Sequence, residues 1–144
     1  MNQIAPKSST AVSGTAPIVL NSLPNTPIIL AKAAIKSGSY QVGDSLPAIS
    51  AEWKNISIDT RHLAQYNRIC GFAEHKIPAT YLWTRAFPLI MRILVSKQFP
   101  LPAMGQVHLS NQISVLKTFD ISKKINITAA VAHSKLSSKG LEWT

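Results

Sequence analysis

The chain has 144 residues, enough for one domain with its own hydrophobic core. Hydrophobic residues make up 46% of it and the mean hydropathy is +0.11, which argues against disorder over most of its length. No apolar run reaches the roughly 18 residues that a bilayer span needs, and no apolar block of a signal peptide follows the N-terminus. We therefore expect a cytoplasmic protein without a membrane span.

The net charge of +9, from 15 Lys and Arg against 6 Asp and Glu, raises the question of an anionic partner. The basic residues are scattered, however, and only Lys123 and Lys124 are adjacent lysines. No basic stripe interleaved with aromatic residues, of the kind that stacks bases, is visible. This distribution predicts no specific nucleic-acid binding and suits attraction of an anionic ligand or carrier, or simple solvation.

The cysteine and the histidines do not form a pattern typical of a catalytic or metal site. The single cysteine, Cys70, excludes an internal disulfide, and we expect it to be a small buried residue in the last turn of a helix. We expect His108 to be exposed and His133 to be half-buried at a strand end. No histidine pair has metal-binding helical spacing, so the sequence predicts neither a metal site nor a cofactor.

The first part of the chain divides into an arm and a helix. Residues 1–25, rich in Ser, Thr, Ala and Pro, predict a poorly ordered arm. A helix is predicted next, with Thr26 as its N-cap, Pro27 at its first position and Ser37-Gly38 after its end.

A strand is predicted over residues 48–58. Its apolar positions keep one parity up to Trp53 and then switch to Ile56 and Ile58, which indicates a bulge near Asn55.

A short helix is predicted after that strand. Asp59 or Thr60 can cap it, and Gly71 stands where a left-handed residue ends a helix. The helical spacing predicts one shared apolar face, formed by Leu63, Tyr66, Ile69 and Cys70.

The most apolar segment runs from Tyr81 to Phe99 and contains Pro88. Because proline disrupts a helix interior, we predict a short helical turn before Phe87 and a separate buried helix beginning at Pro88. Arg92 and Lys97 are predicted to point outward. The inward face is predicted to consist of Leu89, Ile90, Ile93 and Leu94.

Two further strands are predicted from strict alternation of apolar and polar residues, at Gly105–Leu116 and at Ile125–Val131. The short connection between them favours an antiparallel pair. A turn at residues 137–140 then leads into a four-residue strand, 141–144. These strands are too few to surround the central helix, and we therefore expect the sheet to be incomplete at the C-terminus.

The stretch from Tyr66 to Tyr81 resembles the active-site segment of the MaoC-like hydratases, which add water to acyl thioesters or remove it. In that family a helix ends in a small residue and Gly, followed by an Asp-x-Asn-Pro-x-His signature. With Cys70-Gly71 as the small-Gly pair, the signature Asp falls on Phe72 and the signature His on Ile77. Neither side chain transfers protons. The family's His-Gly pair at the start of the buried helix corresponds to Phe87 and Pro88.

The resemblance implies an α+β hot-dog fold over residues 26–144, in which an antiparallel sheet wraps a central helix. It further implies the non-catalytic N-terminal repeat of a two-repeat dehydratase. On this interpretation the chain has no catalytic residues of its own. The residues that contact the acyl chain are Phe87, Leu89, Ile90 and Ile93. The implied partners are an acyl-CoA or acyl-carrier protein and a catalytic hot-dog half, or a second copy of the chain.

Two alternatives remain open at this point. The chain could be a stand-alone hot-dog module that binds an acyl-CoA or carrier without chemistry, or a basic nucleic-acid-binding protein, which charge alone supports. Glu74 and His75 could also be regarded as a shifted catalytic pair, but a solvated polar loop is the preferred interpretation.

Overall fold

The computed structural model describes residues 16–74, 76–118 and 120–144. Eight elements follow one another in the order β1, α1, β2, α2, α3, β3, β4 and β5. Their bounds are Ile18–Leu20 (β1), Thr26–Ile35 (α1), Ser50–Ile56 (β2), Thr60–Cys70 (α2), Ala79–Leu94 (α3), Ile125–Ala130 (β3), Ser134–Ser137 (β4) and Gly140–Trp143 (β5). The predicted α+β class is confirmed.

The main sheet has three strands with β2 in the middle. Strand β1 pairs with β2 in parallel, and β3 pairs with β2 antiparallel. Since β1 falls inside residues 1–25, the prediction of a poorly ordered arm is wrong for Ile18–Leu20. Backbone pairing with β2 and burial of Leu20 order these three apolar residues, although the residues around them are rich in Ser, Thr, Ala and Pro.

Strand β2 carries the predicted bulge. Its register against β3 shifts between Trp53 and Ile56, and Asn55 has a φ of 57°. The Asn126 side chain accepts a hydrogen bond of 2.9 Å from the Asn55 backbone N–H, which holds the extra residue in place. Because of this shift, both Trp53 and Ile56 are buried although their sequence parities differ.

The helix caps match the sequence except at α1. The side chain of Asn25, not that of Thr26, caps α1 by accepting from the backbone N–H of Ile28. Asp59 caps α2 and Gly71 ends it with a φ of 74°, as predicted. The predicted N-cap of α1 is therefore wrong by one residue. Both Asn and Thr can cap a helix, and it is the side chain of Asn25 that does so here.

Helix α3 is continuous from Ala79 to Leu94 with Pro88 inside it, so the predicted split at Pro88 is wrong. Pro88 has no N–H to donate to the Thr84 carbonyl, four residues earlier. The Thr84 hydroxyl donates to the Tyr81 carbonyl at 2.7 Å, a local bond that commonly accompanies a bent helix. Packing against the sheet keeps the helix intact despite one missing hydrogen bond.

The main core lies between α3 and the three-stranded sheet. Leu89 is fully buried, and Ile93 and Leu94 are less than one-tenth exposed. They pack with Ala51 and Trp53 of β2 in one cluster. Ile90 and Arg92 are only half-buried, and Lys97 is exposed. A helix lying on a sheet in this way is compatible with a hot-dog fold.

The predicted strand Gly105–Leu116 is absent from the structure, and β3 pairs with β2 instead of with this segment. Its alternating apolar side chains are exposed, among them Val107, Leu109 and Val115. Alternation shows that a segment fits a half-buried sheet surface, but it does not supply a partner strand. None of the described strands pairs with residues 105–116.

Strands β4 and β5 form a C-terminal hairpin, of which the sequence predicts the turn and the last strand but not β4. Next to it, the backbone of His133 exchanges hydrogen bonds with that of Thr144, and the His133 side chain is exposed, not half-buried as predicted. The ladder pairs backbone groups at this position without covering the side chain.

Lys36 and the residues after α1 dock onto the segment that follows α3. The Lys36 ammonium donates to the carbonyls of Phe99 and Leu101 at 2.5 and 2.6 Å. Gly38 lies so close to Pro102 that an added Cβ would stand 2.7 Å from the proline Cδ. Burial lowers the pKa of Lys36.

Candidate functional site

The segment singled out by the sequence connects α2 to α3. The Asp59 carboxylate accepts from the backbone N–H groups of Arg61 and His62, which fixes the start of α2. These hydrogen bonds lower the pKa of Asp59, because they favour the charged carboxylate. At the other end, left-handed Gly71 turns the chain into the loop that reaches α3 at Ala79.

Asn67 holds the loop in shape and was missed by sequence reasoning. Its side chain is fully buried, and its amide N–H₂ lies 2.8 to 3.2 Å from the carbonyls of Ala73, Glu74 and Lys76. The predicted apolar face of α2 is therefore wrong in part, since Ile69 and Cys70 are exposed. The inward positions near that end belong to Tyr66 and to a polar residue that satisfies loop carbonyls.

Phe72 and Ile77, the positions that correspond to the family's Asp and His, take part in packing. The Phe72 ring stacks on Tyr66 with centroids 6.3 Å apart and is 41% exposed. Ile77 is half-buried against the second core cluster, which contains Ile58, Leu63 and Tyr81. The loop thus presents carbon surface at both positions. Glu74 is exposed, and its hypothetical partner His75 lies outside the described residues.

Tyr81, a buried titratable residue, lies near the start of α3. It is fully buried, its hydroxyl donates to the Asp59 carbonyl at 3.4 Å, and His62 Nδ1 lies 3.2 Å from the same hydroxyl. Burial raises the pKa of Tyr81, since the phenolate would lose its hydration. A neutral phenol enclosed by protein anchors α2 to α3 but has no access to a substrate.

The four residues expected to contact an acyl chain lie on two sides of α3. Leu89 and Ile93 face the sheet in the core, and Ile90 is half-buried beside them. Phe87 is 43% exposed on another side of the helix, where it contacts Trp83. The structure therefore buries Leu89 and Ile93 in the core and leaves Phe87 outside it. Ile90 lies between the two sides, three residues along the helix from both Phe87 and Ile93.

Neither a metal centre nor a membrane-crossing helix is found in residues 16–74, 76–118 and 120–144. No group of three His, Cys, Asp or Glu side chains stands close enough to hold a metal ion. None of the helices combines the length and the apolar character that crossing a membrane would require.

Comparison with known proteins gives one clear similarity. Over 99 residues the chain is 24% identical to 3-hydroxyacyl-thioester dehydratase X of Mycobacterium tuberculosis. The match covers 68% of this chain but 35% of the relative, so the chain spans about a third of that protein's length. No protein-family model and no solved structure matches the chain.

The similarity supports a relationship to the dehydratases. It agrees with the resemblance found at Tyr66–Tyr81, and the mixed α+β architecture is compatible with it.

Proposed function

We propose that this chain is a non-catalytic hot-dog repeat of an acyl-thioester dehydratase, which shapes the acyl pocket and docks a catalytic half. The observation that carries the proposal is the chemistry of the loop between α2 and α3. Removal or addition of water at a 2-enoyl thioester needs groups that transfer protons to and from carbon and oxygen. The resemblance at Tyr66–Tyr81 assigns the positions of these groups to Phe72 and Ile77, whose side chains pack against Tyr66 and the second core cluster.

The path of the loop is nevertheless fixed by specific contacts. Asn67 is buried to hold three loop carbonyls, and Tyr81 fixes the start of α3 against α2. Burying the Asn67 amide is costly, because its Oδ1 has no hydrogen-bond partner among the described residues, so its three contacts with loop carbonyls indicate that the path of the loop is under constraint. Retained shape without proton-transfer groups fits a repeat that forms a wall for another repeat's chemistry.

An acyl chain would meet this repeat along α3. Phe87 offers exposed aromatic surface next to Trp83, and Ile90 lies half-buried on the same helix. Leu89 and Ile93 would form the base of that wall from the core side and hold α3 on the sheet. The acyl group would be carried by coenzyme A or by a carrier protein, to which the net charge of +9 is attractive.

Photo-crosslinking tests the acyl contact directly. An acyl-CoA with a diazirine near the chain end is irradiated with the protein, and labelled residues are mapped by mass spectrometry. We expect saturable labelling on α3 around Phe87 and Ile90, reduced severalfold in F87A. V42A is the matched control, because Val42 is 84% exposed and lies outside α3.

Labelling that does not saturate, or that falls equally on Val42 and Phe87, would show that the label follows exposed apolar surface in general. That result would remove the acyl-binding part of the proposal. Competition by the same acyl-CoA without a diazirine separates specific from general labelling.

A further inference from the structure

A cleft of about 370 Å³ lies away from the α2–α3 loop, where β1 leads into α1. Its lining also includes Arg92 from the last turn of α3. This volume lies within the range of small-ligand sites, which is about 300 to 1,000 Å³. Neither the dehydratase resemblance nor the loop chemistry uses it.

Apolar side chains line part of the cleft. Leu20 of β1 and Ile29 of α1 are 7% and 6% exposed and form its buried side. Val19 and Ile28 line it as well and are each more than half exposed. A ligand seated here would therefore cover carbon surface that now faces water.

The polar character of the cleft is positive. Lys32 of α1 and Arg92 of α3 both line it, and none of the six acidic side chains of the chain does. Within the described residues, neither cation forms an ion pair. The first turn of α1 also borders the cleft and places the positive end of the helix dipole there, although the Asn25 side chain already caps the Ile28 N–H and Pro27 has no N–H.

We propose that this cleft binds a phosphate monoester that carries an apolar group. The two cations from separate helices match the double negative charge of a phosphate monoester, and a guanidinium binds phosphate oxygens in pairs. The apolar body of the ligand would cover Val19 and Ile28. This site does not depend on the dehydratase relationship.

Titration of the isotopically labelled chain with phenyl phosphate, followed by NMR, tests the site. We expect saturable shifts of the backbone amides of Asn21, Ser22 and Ile28. Benzoate, with the same ring and one charge, should bind more weakly, and neutral benzyl alcohol weaker still. Affinity should fall as salt increases, because the attraction is electrostatic.

Charge-removing variants locate the binding. K32Q and R92Q should each weaken phenyl phosphate binding by roughly tenfold, the change typical of losing one charge-assisted contact. K97Q is the matched control, since Lys97 is an exposed cation just beyond α3 that does not line the cleft. Circular dichroism and thermal melting check that each variant is folded.

Equal weakening in K97Q and K32Q would overturn the proposal, because binding would then follow net charge. Benzyl alcohol binding as tightly as phenyl phosphate would overturn it too, since the cations would have no part. If R92Q fails to fold, the exposed residue Lys32 still decides the outcome. Loss of phosphate binding leaves the acyl-crosslinking test unaffected, so the two proposals fail separately.

Discussion

Among the single residues of the α2–α3 loop, Phe72 and Ile77 make apolar packing contacts. Phe72 stacks on Tyr66, and Ile77 packs on a cluster that includes Tyr81. Both contacts stabilise the junction between the two helices, so the side chains that cannot transfer protons have a structural part to play. The residue types could be read from the sequence, but their contacts could not.

Asn67→Ala should destabilise the protein by about 1 to 3 kcal/mol, because the loop carbonyls lose the donor that holds them and the buried position of Asn67 is left unfilled. The donor reaches the carbonyls of Ala73, Glu74 and Lys76. Urea unfolding measures the change. Gln65→Ala is the control, an exposed position on the same helix where a change within about 0.5 kcal/mol is expected. A loss in N67A no larger than in Q65A would contradict the anchoring role.

Tyr81 makes the free energy of unfolding depend on pH in the alkaline range. Because burial raises its pKa above the usual 10.0, the folded protein keeps the phenol proton when the unfolded chain has lost it. The stabilisation is therefore complete below pH 10 and declines as pH rises from there through the folded pKa. In Tyr81→Phe this part of the decline should disappear.

The test compares free energies of unfolding for wild type and Tyr81→Phe between pH 8 and the alkaline limit of the protein. Lys36, whose pKa burial lowers, acts in the opposite direction but equally in both proteins, so it cancels in the difference. A difference that stays constant with pH would show that Tyr81 ionises alike in the folded and unfolded states.

Capping residues were predictable because their effect is local. Asp59 and Gly71 act on N–H and C=O groups within one helical turn, so sequence spacing was enough. Asn67 was not predictable, since its partners lie in a loop whose path depends on tertiary structure. The exposure of Cys70 escaped prediction for the same reason: α2 buries Asn67 and leaves Ile69 and Cys70 in solvent.

At the scale of elements, α3 is the main departure from local rules. The sequence rule places Pro88 at a helix start, whereas the structure places it inside a helix of 16 residues. Tertiary burial of Leu89 and Ile93 outweighs the missing hydrogen bond. In β2 the local rule held, because the parity switch at Asn55 directly records which side chains face the core.

Pro88→Ala should raise the free energy of unfolding by about 1 to 3 kcal/mol, since alanine restores an N–H donor and removes the ring clash within the helix. Chemical denaturation measures the gain. The matched control is Pro102→Ala, outside any helix or strand, for which no such gain is expected. A neutral or destabilising Pro88→Ala would indicate that the helix begins at Pro88, as the sequence alone predicts.

Residues 105–116 show the limit of reading strands from alternation. The pattern is regular, yet Val107 and Leu109 are 77% and 71% exposed. Strand formation needs a neighbouring backbone as well as a suitable pattern, and a single sequence does not reveal whether that neighbour is present. The pattern does predict which side chains a partner would cover.

At the scale of the whole molecule, this exposed segment should promote association. Sedimentation velocity of the purified chain should show species larger than a monomer at micromolar concentration, because alternating exposed apolar side chains favour contact with another chain. Val107→Lys with Val115→Lys should shift the distribution toward monomer without lowering the melting temperature. A monomer in the unmodified chain at this concentration would contradict the expectation.

We propose that the loop between α2 and α3 shapes an acyl pocket and carries no proton-transfer groups of its own. The decisive measurement is an absorbance assay with the purified chain at high concentration. It follows the loss of the enoyl-thioester signal of short and medium 2-enoyl-CoA substrates. We predict no turnover above the buffer rate. Turnover that scales with protein, survives further purification and disappears in His75→Ala would show that the loop carries catalysis and would contradict the claim.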